Sequence, residues 1–314
     1  PRWVKRQAKT GRPIVDADRP TLAATLTKAG YDTYAVVTHS MLDQRGAGRG
    51  FAKLDYIRSG YSAPKVAKKV VPWLKARARD RSKGKDKPFF LLVHIYDPHW
   101  PYRKIKTFGT THMDRYDGEI HKVDHYVGRI LKTFRAPQLK ETLIMISADH
   151  GEAFHEHGRS FHGSSLYNEQ TRVPFLVKGP SVKERRISTP VSVTDIPATI
   201  LDLIGLTPPS PPHGHSLRSL LQGKSLRRCG SDDVYMELVP DNTRTTVRKA
   251  ALVRGPHKLI FNPTTESFEL YRYQDDPHET RNLYESLPDV AGKLRRALDR
   301  MVEYYVSPYM EKLP

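Results

Sequence analysis

Residues 142–147 form a short apolar, strand-like run, and Asp149, His150, Gly151 and Glu152 follow it directly. A buried strand that ends in a carboxylate and an imidazole delivers two metal-ligand side chains to the carboxyl edge of a sheet, where open α/β folds hold their sites. The tetrapeptide alone is a weak signal. It gains weight from its sequel: Phe154, His155, Glu156, His157 and Gly158, then His162 and Gly163, then residues 166–169 and 172–176.

The rest of the chain has the same alternation. Residues 21–30 read as a helix closed by Gly30, followed by a strand at 34–38. Residues 64–81 read as a basic helix with Val66, Val70, Val71 and Leu74 on its apolar stripe. Residues 89–95 are almost continuously apolar, as expected of a strand covered on both faces. Residues 114–134 read as a long helix, with Ile120, Val123, Val127, Ile130 and Leu131 at helical spacing. Residues 142–147 and 173–177 are two further buried strands, and Thr194 caps a helix that runs to Gly205. Strands alternating with helices imply an α/β domain with a mainly parallel sheet. After the stiff stretch 208–212 and residue 225 the pattern changes to short strands at 234–238, 250–253, 258–261 and 268–271, closed by an amphipathic helix at 290–304. That is a small antiparallel sheet with one helix. The expected division is a catalytic α/β domain over 1–224 and an α+β subdomain over 225–314.

The 314 residues carry 38% hydrophobic side chains, enough for a sizeable core. Net charge is +18. That balance favours an anionic partner, and much of it crowds residues 65–87. This segment reads as a solvated helix face running into a charged turn. No zinc-finger, RNP or helix-turn-helix pattern occurs, so nucleic acid is not the expected partner. No stretch is apolar for long enough to span a bilayer. Cys229 is the single cysteine, which excludes an internal disulfide and a thiolate metal cluster. It lies in a basic, loop-like stretch and reads as incidental.

Three constellations carry chemistry. Asp149 and His150 suit a divalent cation, the oxygen favouring a hard metal and the imidazole widening the choice to zinc or manganese. His99 lies in a proline-stiffened loop directly after the 89–95 strand. It is either a group that binds an oxyanion or protonates a leaving group, or a buried histidine bonded to backbone. His162 lies twelve residues beyond His150, across a loop short enough to fold back, where a cation could neutralise a transferred anionic group. His155 and His157 read as structural or solvent-facing.

These segments resemble, in order, the sulfatase family of the alkaline phosphatase superfamily. The likeness rests on residues 22–31 with Gly50, Phe51, Asp55 and Tyr56, on 97–101, on Tyr116 through Asp124 to Gly128, on 147–151 and on 162–174. It continues through 193–203, 214–217, 269–271, Asp276, Pro277, Asn282 and Leu283. The resemblance implies an α/β/α sandwich and metal-assisted hydrolysis of sulfate esters. Asp149 and His150 then look like half of a metal site, usually calcium, with magnesium, manganese or zinc as alternatives. His99 looks like the histidine that assists the leaving oxygen. His162 stands where many relatives carry a sulfate-binding lysine. Family members also carry a paired-aspartate metal motif on their first strand and, beyond it, a Cys-x-Pro-x-Arg or Ser-x-Pro-x-Arg motif whose first residue becomes the formylglycine nucleophile. Neither motif occurs here. The expectation is therefore that the first strand, the nucleophile and the remaining ligands lie upstream, and that this chain alone binds metal weakly, hydrolyses no aryl sulfate and tends to aggregate. The family also suggests a periplasmic or extracellular location. Alternatives are a phosphodiesterase, phosphonate hydrolase or phospho-group transferase of the same superfamily, and an inactive polyanion-binding module.

Overall fold

The computed structural model describes residues 4–6, 13–15, 20–58, 62–85, 87–208, 214–225, 233–239 and 248–310. In chain order the strands are β1 (Val4–Arg6), β2 (Pro13–Val15), β3 (Asp32–Val37), β4 (Lys53–Tyr56), β5 (Phe89–Val93), β6 (Ile144–Ser147), β7 (Ala153–Phe154), β8 (Ser160–Phe161), β9 (Phe175–Lys178), β10 (Val234–Leu238), β11 (Lys249–Arg254), β12 (His257–Asn262) and β13 (Ser267–Tyr271). The helices are α1 (Leu22–Lys28), α2 (Ala63–Ser82), α3 (His112–Leu131), α4 (Ala136–Glu141), α5 (Asn168–Thr171), α6 (Asp195–Leu203), α7 (Arg218–Leu221) and α8 (Pro288–Met310). Cys229 and most of the expected connector 208–212 lie outside the described residues. The chain divides into two compact units, Pro1–Thr142 with Pro208–Pro211, and Leu143–Thr207 with Pro212–Pro314. Both the expected catalytic segment and the expected C-terminal segment have residues in the second unit.

The first unit is built on the parallel sheet β4-β3-β5. Its central strand is buried from Thr33 to Val37 because both faces are covered. Tyr34 and Val36 meet Val66, Ala67, Val70 and Leu74 of α2 and Ile130 of α3. Ala35 and Val37 point the other way, onto Ala23 of α1 and Phe51. Period-two alternation on one strand thus fills two helical layers. The Thr21 hydroxyl caps α1 by accepting from the Ala24 N–H, and Gly30 takes φ +87°, which a side chain would resist. In α3 the expected apolar stripe holds at Ile130, which is buried, but fails at its first position. Ile120 is exposed, and Gly118 and Glu119 take the inward place. The reason is polar: the Glu119 carboxylate accepts from the N–H groups of His99 and Arg103. α2 has no side-chain cap of its own. The buried Asp97 supplies one, accepting from the Ser62 N–H and hydroxyl at 2.7 Å and the Ala63 N–H at 3.0 Å.

In the second unit β10-β11-β12-β13 form an antiparallel meander. Leu252, Leu259 and Leu270 face Leu294, Ala297 and Leu298 of α8. Ala251, Ile260 and Tyr271 face Leu166 on the other side. Beneath this sheet Lys258 and Glu279 form a buried ion pair, Nζ to Oε1 3.0 Å, with side chains 1% and 0% exposed. Burial pulls the Lys258 ammonium down and pushes the Glu279 carboxyl up. β6 and β9 occur where the sequence suggests strands, but they pair antiparallel, Ile144 opposite Lys178 and Ser147 opposite Phe175. A parallel return needs a crossover of a dozen or more residues, usually helical. The segment between β6 and β9 holds only a hairpin and the one-turn α5. The expected burial is also not met, since Ile146 is 37% and Leu176 59% exposed. Thr194 precedes α6 as expected, yet its hydroxyl bonds Ser192 instead of capping the helix. Among the described residues no helix is long and apolar enough to cross a membrane.

Candidate functional site

Three of the four candidate site residues lie in the second unit, around the hairpin β7–β8. Ala153 pairs with Phe161, so the ladder sets Glu152 opposite His162, one residue outside each strand. The contact is made: His162 Nδ1 lies 3.0 Å from Glu152 Oε1, with side chains 14% and 5% exposed. A carboxylate offers no proton, so Nδ1–H donates. His150, two residues before Glu152, stacks its ring on His162 with centroids 3.7 Å apart and planes at 24°. The base of the hairpin is held by Gly151, whose N–H donates to the Gln170 carbonyl at 2.9 Å. A Cβ at 151 would meet the Glu169 carbonyl oxygen at 2.2 Å, so glycine is required there. The buried Gln170 side chain in turn accepts from the N–H groups of Ser164 and Ser165.

His150 donates Nδ1–H to the Gly151 carbonyl at 2.9 Å, which leaves its lone pair on Nε2. That nitrogen lies 3.7 Å from Asp149 Oδ2, and the Asp149 side chain is 78% exposed. A metal-binding histidine characteristically gives its other N–H to a backbone carbonyl or carboxylate. Asp149 and His150 therefore suit a cation as an oxygen–nitrogen pair. They are a pair only: among the described residues no group of three or more His, Cys, Asp or Glu side chains could hold a metal ion.

His155 and His157 both adopt left-handed backbone, φ 85° and 49°. His155 meets the Ser160 hydroxyl. His157 is a clip. Its ring lies flat on Tyr167, Nε2 faces the Glu279 carbonyl at 3.1 Å and Nδ1 faces the Glu169 carboxylate at 3.1 Å. Both partners only accept, so both nitrogens donate and the imidazolium form is favoured. Burial lowers the His157 pKa, but these hydrogen bonds and the neighbouring carboxylates outweigh it and the net shift is upward. A raised folded-state pKa gives stability that is complete below the unfolded value of about 6.5 and is lost as pH rises through the folded value. His257 is shifted downward by burial and acts in the opposite sense. The effect is therefore read as a difference: wild type minus His157→Gln in unfolding free energy is expected to shrink between about pH 6 and 9. A difference that is flat across this range would contradict the clip.

His99 lies in the first unit. Its Nδ1 sits 2.6 Å from the Trp100 carbonyl and so carries hydrogen, while Nε2 lies 2.9 Å from the Tyr96 hydroxyl, the rings stacked at 4.1 Å. Its N–H is tied to Glu119, a carboxyl that burial pushes upward. Glu152, Tyr96 and Glu119 are neighbours of the candidate residues that the sequence does not single out. Glu152 stood inside the quoted tetrapeptide, and its tie to His162 is readable only from the hairpin register. Glu119 left one trace, a carboxylate beside a glycine on the stripe of a helix.

The sulfatase family model matches residues 6–206. A second model, N-sulphoglucosamine sulphohydrolase, C-terminal, matches residues 155–304. The chain is 24% identical over 289 residues to the uncharacterized sulfatase YidJ of Escherichia coli (strain K12), covering 79% of this chain and 56% of that one. It thus spans about half, or less, of the length of the curated relatives it matches. Among solved structures it is similar to a 2-O GAG sulfatase, with TM-score 0.76, 18% identity, and coverage of 99% of this chain and 80% of that chain. It is also similar to a phosphonate monoester hydrolase from Silicibacter pomeroyi, with TM-score 0.69, 17% identity, and coverage of 96% and 82%.

Proposed function

The chain belongs to the sulfatase family, and from that membership we propose that its residues serve the metal-assisted hydrolysis of sulfate esters, with an anionic, polysaccharide-type substrate. The observation that carries the reading is the hairpin that stacks His162 on His150 and ties it to Glu152, beside Asp149. In this reading Asp149 and His150 hold a divalent cation, calcium first, with magnesium, manganese or zinc as alternatives. The cation, when bound, withdraws charge from the ester's anionic oxygens. With Nδ1–H held by Glu152, His162 donates to the sulfate group from Nε2 in its doubly protonated form. His99 in its doubly protonated form gives its proton to the departing oxygen from Nε2 and keeps Nδ1–H on the Trp100 carbonyl. In the resting arrangement that same nitrogen accepts from the Tyr96 hydroxyl, which holds the ring in place, and solvent returns the proton after each turnover.

The nucleophile is placed outside the 314 residues, which contain neither a Cys-x-Pro-x-Arg nor a Ser-x-Pro-x-Arg run. Residues 1–224 form the catalytic part and 225–314 the C-terminal part in this reading, and the location is periplasmic or extracellular. The test compares the whole protein that carries these residues with the 314-residue chain on a sulfate monoester, a phosphonate monoester and a phosphodiester, with calcium and with chelator. Calcium-dependent turnover of the sulfate ester by the whole protein and none by the 314-residue chain is expected. Preferential turnover of the phosphonate or phosphodiester would transfer the chain to the other branch of its superfamily. Tight polyanion binding with no turnover by the whole protein would make it a binding module.

A further inference from the structure

We propose that the exposed face of α2 is a docking track for the chain of a sulfated polysaccharide. The proposal rests on the substrate class given above and adds the surface that holds the polymer. Lys65, Lys68, Lys75, Arg79 and Lys83 are all exposed. At 3.6 residues per turn they fall within an arc of about 80°, and from first to last they span about 27 Å. The opposite side of the helix is the buried stripe of Val66, Val70 and Leu74.

Two ordinary explanations for such a face fail. A helix that merely faces water gains from mixed signs at i,i+4, and like charges at that spacing cost a few tenths of a kcal/mol each. Lys75 and Arg79, and Arg79 and Lys83, are like pairs at that spacing. Cations are also favoured at a helix C-terminus, which accounts for Arg79 and Lys83. Lys65 and Lys68 sit near the N-terminus, where the same dipole disfavours them and where the first turn has no acidic residue. The flanking cations are neutralised within the fold: Lys69 by Asp55 at 3.5 Å, Arg77 by Asp32 at 3.0 Å, and Arg81 by Glu141 at 2.5 Å. Among the described residues no carboxylate lies within ion-pair distance of Lys68, Lys75, Arg79 or Lys83. Lys68, Lys75, Arg79 and Lys83 therefore line up four such cations along one side of α2.

The chemistry of the face favours sulfate esters over nucleic acid. Single-stranded nucleic acid calls for exposed aromatic platforms. The aromatic ring of α2, Trp73, is turned inward against Tyr34 and Phe89, with centroids 5.2 and 5.4 Å away.

The test replaces Lys65, Lys68, Lys75 and Arg79 by glutamine in the whole protein and measures affinity for heparin. Far-UV circular dichroism checks the fold, and a Lys→Arg variant at the three lysines serves as the charge-retaining control. The glutamine variant is expected to bind heparin at least tenfold more weakly, and the arginine variant to bind as wild type. Turnover of a sulfated monosaccharide, which offers a single charged group, is expected to be unchanged. Unchanged heparin affinity in the glutamine variant overturns the proposal, as does tighter wild-type binding to single-stranded DNA of the same length. Should no variant hydrolyse the monosaccharide while heparin affinity still falls, the substrate reading fails and the docking track stands. If the quadruple variant does not fold, the Lys75→Gln, Arg79→Gln pair is measured against the same two criteria, with a threefold loss expected.

Discussion

Replacing Lys258 by methionine is expected to destabilise the protein by about 3–5 kcal/mol, the cost of removing one member of a buried ion pair and leaving its partner charged in a dry site. The Lys258 ammonium also reaches Asn168 Oδ1 at 3.2 Å and the Thr171 hydroxyl at 3.4 Å. Glu279 cannot leave the site easily. Its Oε2 accepts from the Asn168 N–H at 2.7 Å, and its own carbonyl receives His157. The stranded carboxylate therefore sits where α5, β12 and the His157 loop converge. Glutamine at 279 keeps an acceptor for Asn168 and removes the charge. The double variant Lys258→Met, Glu279→Gln is thus expected to recover at least half of the loss. Urea unfolding followed by circular dichroism checks both. A single variant within about 1 kcal/mol of wild type would show that the pair is solvated or neutral in the fold.

That ion pair also marks the limit of what the sequence discloses. The parallel sheet, the two long helices flanking it and the C-terminal meander were legible, because they rest on apolar periodicity and on caps such as Thr21 and Gly30. The described pairing of β6 with β9 was not, since a four-residue apolar run does not state which neighbour it will take or in which direction. Polar substitution inside a stripe was equally hidden: Glu119 occupies an inward position that periodicity assigns to a side chain like Ile120. At the candidate site, residue type and position after a strand nominate Asp149, His150, His99 and His162 as candidates. Their orientation was not legible. The tautomers of His99 and His150 are set by the carbonyls of Trp100 and Gly151, each one residue away, and only backbone geometry decides such contacts. His157 is the sharpest case. It stands in the same histidine-rich loop as the site residues, yet its three partners, Tyr167, Glu169 and Glu279, make it a fastener between distant parts of the chain.

Substituting His162 by alanine in the whole protein is expected to lower kcat/KM for a sulfate ester by about 10²–10³-fold, the usual effect of deleting one preorganised donor to a developing oxyanion. The geometry gives the reason. The His162 ring is pinned on one edge by Glu152 and on one face by His150, so only a narrow range of orientations is open to it. A donor held in place before the reaction costs no reorganisation when charge develops. Lysine at 162 should restore much of the loss, because it supplies the cation that the resemblance places at this position. Its ammonium is a point charge that needs no ring orientation. Glu152→Gln should be milder, about tenfold, since glutamine can still hold the ring but without the charge. The loss should fall on kcat more than on KM, since a group that acts on the developing charge contributes mainly in the transition state. If alanine at 162 raised KM and left kcat alone, His162 would be a substrate-binding residue without a part in the chemical step. If it changed neither, the stack on His150 would be packing alone, and the sulfate-binding group would have to be sought elsewhere in the protein.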